Sequence, residues 1–192
     1  MREVAAVEAL CVFDWNPAVP DQLTTLAVSG ETVDAAEWAA ASALPEAGAT
    51  GPASWLGLPV PLRRQLVRAY RSVPTLGLYC VIDDERPGVT PRAFLRAAVA
   101  DTAEQFAPLR RARTAHGFLL NEPFEELHDA LRAAPYGDTD ARPHFLPRSS
   151  FPGLRELIRL TAVCCRETLY RTDIPEDEDL LGIYHRHLVG GL

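Results

Sequence analysis

Thr75-Leu76-Gly77-Leu78-Tyr79-Cys80-Val81-Ile82-Asp83 is the stretch on which the fold reading turns. It combines β-branched and aromatic residues with an apolar run too short for a helix, and an acidic, proline-containing segment from Asp83 to Gly88 closes it. A strand is therefore expected here, central to the fold. Val4 to Trp15 reads the same way, ending at Asp14-Trp15-Asn16-Pro17 in a proline-bounded loop, although a helix also fits it. Leu10-Cys11-Val12-Phe13-Asp14 resembles Tyr79-Cys80-Val81-Ile82-Asp83. A duplicated strand–loop–helix unit would make these two strands neighbours and set both aspartates at strand ends.

Around these strands the pattern is helical. Glu31 to Leu44 is alanine-rich, carries Trp38 and stops at Pro45, and a Gly/Ala/Pro connection from Glu46 to Ala53 follows. Pro61 to Ser72 places Leu62, Leu66, Ala69 and Tyr70 on one side. Thr90-Pro91 is an N-cap hydroxyl followed by a first-turn proline, and Phe94, Leu95, Ala98, Val99, Thr102 and Phe106 continue at helical spacing until Pro108 ends or kinks the helix. Asn121 is placed to cap a helix from Glu122 to about Ala134. Gly153 to Arg171 is apolar over a wide arc, which implies burial on more than one side. A last helix is expected from about Pro175 to Val189, acidic at its start and basic near its end, as the helix dipole favours. The fold class expected is α+β and predominantly helical, one globular domain over residues 1–192 with five or six helices around one or two short strands.

Composition limits the chemistry. All nineteen basic residues of the 192 are arginine, and there is no lysine. A Schiff base to pyridoxal phosphate or a carbonyl substrate, a P-loop lysine, a kinase β3 lysine and a Ser-x-x-Lys pair are thereby excluded. GC-rich bacterial codon usage is the simpler account of missing lysine, and selection against lysine modification is the sharper one. A net charge of −7 and a pI near 5.2 disfavour broad attraction to nucleic acid or anionic membrane. No apolar run nears the roughly 20 residues of a membrane span, and the start of the chain lacks a signal-peptide h-region, so a cytoplasmic protein is expected. Cys11, Cys80, Cys164 and Cys165 lack Cys-x-x-Cys spacing and fit reduced, buried thiols, with the adjacent pair diverging on a helix.

Several constellations could carry function. Glu125 and His128, three apart on a helix, face the same way and supply half of a carboxylate-bridged dimetal site, so a divalent metal held by Glu125, His128 and His185 is one expectation. His185 and His187, about 200° apart on a helix, cannot readily share one ion. Asp14 and Asp83 stand where α/β proteins place metal-binding or nucleophilic carboxylates at strand ends, and turn or capping roles compete with that reading. Asp83-Asp84-Glu85 does not extend to a full diphosphate-binding acidic motif, because Pro87 occupies the third acidic position. Arg64, Arg68 and Arg71 share a helix face that could grip an anion, as could Arg110, Arg111 and Arg113, and a solvated, acid-paired face is the competing reading. The aperiodic segment from Tyr136 to Pro152, with Asp138, Asp140, Arg142, His144 and Arg148, is long enough to be a functional loop. Gly-x-Ser-x-Gly, His-Glu-x-x-His, Gly-x-Gly-x-x-Gly and Gly-x-x-x-x-Gly-Lys signatures are absent.

These features fit best a cytoplasmic bacterial accessory or interaction protein that recognises a protein partner, a small molecule or a second copy of itself. The alternative is a small enzyme of specialised metabolism using Glu125, His128 and His185 or His187 with Asp14 or Asp83 for acid–base or metal chemistry. A third reading is anion or RNA binding through Arg64, Arg68 and Arg71 together with His144.

Overall fold

A computed structural model describes residues 8–43, 54–83, 89–115, 117–122, 124–134, 136, 143–168, 171–180 and 188–189. In chain order the elements are β1 (Ala9–Asn16), β2 (Val19–Ser29), α1 (Val33–Ala43), α2 (Val60–Arg71), β3 (Gly77–Ile82), α3 (Pro91–Gln105), α4 (Ala107–Ala115), β4 (Gly117–Leu120), α5 (Glu125–Ala133), α6 (Pro152–Thr168), a 3-10 turn at Glu176–Glu178 and the two-residue β5 (Leu188–Val189).

The strands form one mixed sheet in the order β4-β1-β2-β3-β5. This corrects the expectation of one or two short strands among helices, because β1 and β2 alone pair antiparallel from Ala9↔Ser29 to Asn16↔Val19. Asn16 closes that hairpin by accepting a 2.9 Å hydrogen bond from the Ala18 N–H through Oδ1, a side chain mimicking a backbone turn. β2 is the middle strand, so β3 is not central and β1 and β3 are not neighbours. β1 runs parallel to β4 and β3 parallel to β5. The carboxyl ends of β1, β3 and β4 therefore share one edge of the sheet with the start of β2.

Strand alternation sorts the core into two layers. Leu10 and Val12 of β1, Leu26 and Val28 of β2, and Leu78 and Cys80 of β3 pack under α1, α2 and α6. Cys11, Phe13, Trp15, Leu23, Ala27, Tyr79 and Val81 pack on α3, α4 and α5. The result is an α/β/α sandwich in which both sheet faces are covered, which is why β1 and β3 read as nearly continuous apolar runs.

Several boundaries follow the expected chemistry. Thr90 Oγ1 accepts the Ala93 N–H at 3.3 Å, and Phe106 ends α3 just before Pro108 enters the first turn of α4. Other expectations are overturned. Asn121 does not cap α5, whose N-cap is Phe124 without a side-chain bond, because Asn121 is held at the end of β4 by its N–H donating to Phe13 O at 2.8 Å. Where it is described, the last segment is not the expected helix from Pro175 to Val189: Glu176–Glu178 is a 3-10 turn, Asp179 is extended and Leu188–Val189 is a strand, while residues 181–187 lie outside the described residues. The 3-10 turn is fixed by Glu178, which is 5% exposed and receives Arg63 at 2.5 Å and Arg64 at 2.9 Å, while Trp55 donates to the Glu178 carbonyl at 2.9 Å.

Within the Tyr136–Pro152 segment, Phe145 bridges Phe118 in parallel and extends the β4 edge, with Phe118 N–H donating to His144 O and Leu146 N–H to Phe118 O. Gly117 permits this approach, because a Cβ at its φ of +151° would lie 2.5 Å from His144 O. Among the described residues no helix is long and apolar enough to cross a membrane.

Candidate functional site

The expected metal set does not assemble. His128 lays its ring on Phe145 with centroids 3.9 Å apart, and burial together with the nearby Arg132 holds its imidazole below the usual histidine range. Glu125 borders a shallow concavity with Glu126, Asp129, Thr90 and Arg92. Among the described residues no group of three or more His, Cys, Asp or Glu side chains is placed to hold a metal ion. His185 and His187 lie outside the described residues, as do Asp84, Glu85, Asp138, Asp140 and Arg142.

Of Arg64, Arg68 and Arg71 on α2, two are ion-paired at the surface. Arg64 pairs with Asp177 and Glu178, both at 2.9 Å, and Arg71 with Glu176 at 3.5 Å, so two of the three side chains expected to grip an anion clamp the 3-10 turn to α2 instead. Arg68 is exposed. Arg113 packs over the Tyr136 ring at 4.2 Å. His144 is exposed and contributes its backbone to the β4 edge.

Asp14 is the sequence-selected residue around which polar groups converge. It lies near the carboxyl end of β1 on the α6 side of the sheet, following Leu10 and Val12 by alternation and coming just after the last residue paired with β4, and Asn121 follows the end of that neighbouring parallel strand. Asn121 Nδ2 donates to Asp14 Oδ1 at 2.5 Å. The other end of that amide faces Arg155 of α6, which donates to the Asn121 backbone carbonyl and lies 3.4 Å from its Oδ1. This polarity leaves the amide NH₂ group only one way to point, toward the carboxylate.

Gln22, the β2 residue at the same edge, is 6% exposed and donates to Ala162 O at 2.9 Å and to Thr24 Oγ1 at 3.2 Å. Behind it, Cys80 and Cys165 bring their sulfurs to 3.2 Å, linking β3 to α6. Cys164 diverges toward Thr168 and Asp179. All four cysteines are buried free thiols.

Over this polar layer α6 and the β1–β2 hairpin enclose a cleft of about 520 Å³, floored by Asp14, Gln22 and Asn121 and walled by Val19, Val163 and Phe124. Trp15, packed edge-to-face on Phe124 at 5.2 Å, braces the wall. Arg159 and Arg166 also reach the cleft, the first bound bidentately by Glu156 and the second by Asp21 at 3.0 and 3.1 Å. Burial pushes the Asp14 carboxyl up from 3.8 to about 6, against the Asn121 hydrogen bond and the Arg159 charge, which lower it. Asp14 is thus a group that changes charge just below neutrality.

Asp83 ends β3 at the same sheet edge, where its N–H donates to Asp21 O at 2.9 Å. β2 intervenes between it and Asp14, and alternation assigns it to the face of Tyr79 and Val81, so the two aspartates do not meet. Gln22, Arg155 and Arg159 carry no signal in the sequence, and Asn121 offers there only the helix-cap role that the structure overturns. Asn121 and Gln22 sit at strand ends whose strands were not expected, and only the Asn-Pro turn before Val19 signalled the hairpin.

The class defined by fold and site is an α/β/α sandwich with a polar cleft at the carboxyl ends of adjacent parallel strands, the edge at which open α/β sheets hold ligands. The chain matches no protein-family model, no curated protein and no solved structure.

Proposed function

We propose that this chain is a cytoplasmic bacterial ligand-recognition protein that takes a small molecule in the Asp14 cleft. The observation that carries the reading is the junction of Asp14 and Asn121 at the ends of parallel strands β1 and β4, backed by Arg155 and opening into a 520 Å³ concavity. Its size and its mix of apolar wall and few polar groups suit a compact ligand. Four buried free thiols support a reducing compartment.

The acid–base enzyme reading draws on one observation, the Asp14 carboxyl raised to about 6, where it could give and take a proton near neutral pH. In that reading Asp14, not His128 with Glu125, is the proton-transfer group.

The test is a thermal-shift panel of small cations, anions and neutral polar molecules on the wild-type chain and on Val163→Trp, which fills the cleft. Stabilisation of the wild type that vanishes in Val163→Trp supports the assignment. Stabilisation that survives the filled cleft places the ligand elsewhere and contradicts it.

A further inference from the structure

The charges around the cleft are unevenly matched. Each arginine that reaches it is committed to a carboxylate: Arg159 to Glu156 and Arg166 to Asp21, both bidentately. Arg155, behind Asn121, donates from its two terminal nitrogens to the carbonyls of Arg148 and Asn121, and its Nε is buried away from the cleft without a partner among the described residues. The carboxylates that line the cleft are less well matched. Glu122 pairs with Arg148 at 2.8 Å. Among the described residues Glu167 receives neutral donors, the Ser54 hydroxyl at 3.1 Å and the Leu56 N–H at 2.7 Å, both on Oε2. Asp14 receives only the Asn121 amide, on Oδ1, among the described residues.

Asp14 is partly buried with one oxygen left to the cleft, and a carboxylate so placed costs more to keep charged than one in bulk water unless a cation offsets it. An anionic ligand would have to displace Glu156 or Asp21 from its arginine and then sit beside Asp14, Glu122 and Glu167. A cationic one displaces nothing and supplies the missing charge.

We propose that the cleft recognises a small primary ammonium, seated on Asp14 Oδ2 with Glu167 as a second carboxylate at the rim and its aliphatic body against Val19, Val163 and Phe124. The inference rests on the small-ligand reading of this cleft and names the ligand's chemistry. The ammonium donates to Asp14 while Asn121 holds the other oxygen, and Arg155 fixes Asn121 in the orientation that keeps its NH₂ on the carboxylate.

n-Butylammonium, protonated at neutral pH, tests this against its near-isosteres butyrate and n-butanol, with the Asn121 side-chain amide signals followed by NMR. Butylammonium is expected to shift them saturably, with butanol and butyrate weaker by about tenfold or more, the scale of one charge-assisted hydrogen bond. Asp14→Asn, which keeps the shape, is expected to lose about the same factor. The comparison of three probes on the wild type stands even where that variant does not fold. Butyrate binding without butylammonium overturns the cationic assignment and leaves the cleft as a ligand site. Equal binding of butylammonium to wild type and a folded Asp14→Asn overturns the seat on Asp14. If none of the probes moves a cleft resonance, the cationic assignment and the small-ligand reading both fail.

Discussion

Asp14→Asn should stabilise the protein at neutral pH while leaving its stability in acid nearly unchanged. In the folded chain the Asp14 carboxyl titrates at about 6, and its ordinary value is 3.8. The groups that act on it are Asn121 and Arg159, which favour the charge, and Glu122 and Glu156, which with burial oppose it. Below pH 3.8 the group is protonated in both folded and unfolded chains and costs nothing. Between 3.8 and about 6 the unfolded chain ionises first, so stability is lost as pH rises. Above about 6 the full penalty is present, about 3 kcal/mol from the difference between the two midpoints.

Asparagine removes the charge, still accepts from Asn121 Nδ2 through its own oxygen and turns its amide toward the cleft. Urea unfolding of wild type and variant at about pH 4, 5, 6 and 7.5 should show a gain that grows from near zero to about 2–3 kcal/mol across the series. Destabilisation at pH 7.5, or a gain independent of pH, would mean that Asp14 is not held as a costly anion. A stabilising substitution at a strand-end carboxylate would also fit a group retained for function at the expense of stability.

Other outcomes follow from particular contacts. Asn121→Ala removes a bond that lowers the Asp14 midpoint, so ¹³C NMR should find that midpoint higher than in wild type. Gly153→Ala drives a methyl to 2.6 Å from Ala41 N and 2.8 Å from Glu37 O, where α6 crosses α1, and thermal melting should report a loss of about 2–3 kcal/mol. The carboxylate of Glu37, which accepts from the Gly153 and Leu154 N–H groups at 2.7 and 2.8 Å, is part of what that shift disturbs. Cys11, Cys80, Cys164 and Cys165 should react with a bulky aromatic disulfide reagent only as fast as the chain opens, and four thiols should appear in denaturant. Glu178→Gln should weaken the clamp of the 3-10 turn on Arg63 and Arg64 and shift the fluorescence of the buried Trp55.

The helices were readable because their signals are local. The Thr90 cap, the Pro108 break and the apolar stripe of Gly153–Arg171 each act within a few residues of the structure they set. β1 and β3 were legible for the same reason. β2 was not, because Pro20, Asp21 and Gln22 disguise its start and Thr24 and Thr25 interrupt the apolar pattern on two faces that are both buried. The four residues of β4 are too few to show any period. Missing those two strands turned a sheet covered on both faces into an expected α+β, predominantly helical domain with one or two short strands. The site suffered in step: Asp14 could be chosen as a strand-end carboxylate, but Asn121 reaches it across 107 positions through a parallel pairing that no local pattern encodes. Glu125 and His128 carried a local motif that is weak by itself, and the packing of His128 on Phe145 shows why helical spacing alone does not make a site.

The most direct test of the account is the ¹³C titration of the Asp14 carboxyl in the wild-type chain, alone and with saturating n-butylammonium. A midpoint near 6 is expected alone, with a clear fall when the ammonium is bound, because a bound cation favours the ionised form. A midpoint at the ordinary 3.8 that the ammonium does not move would contradict it.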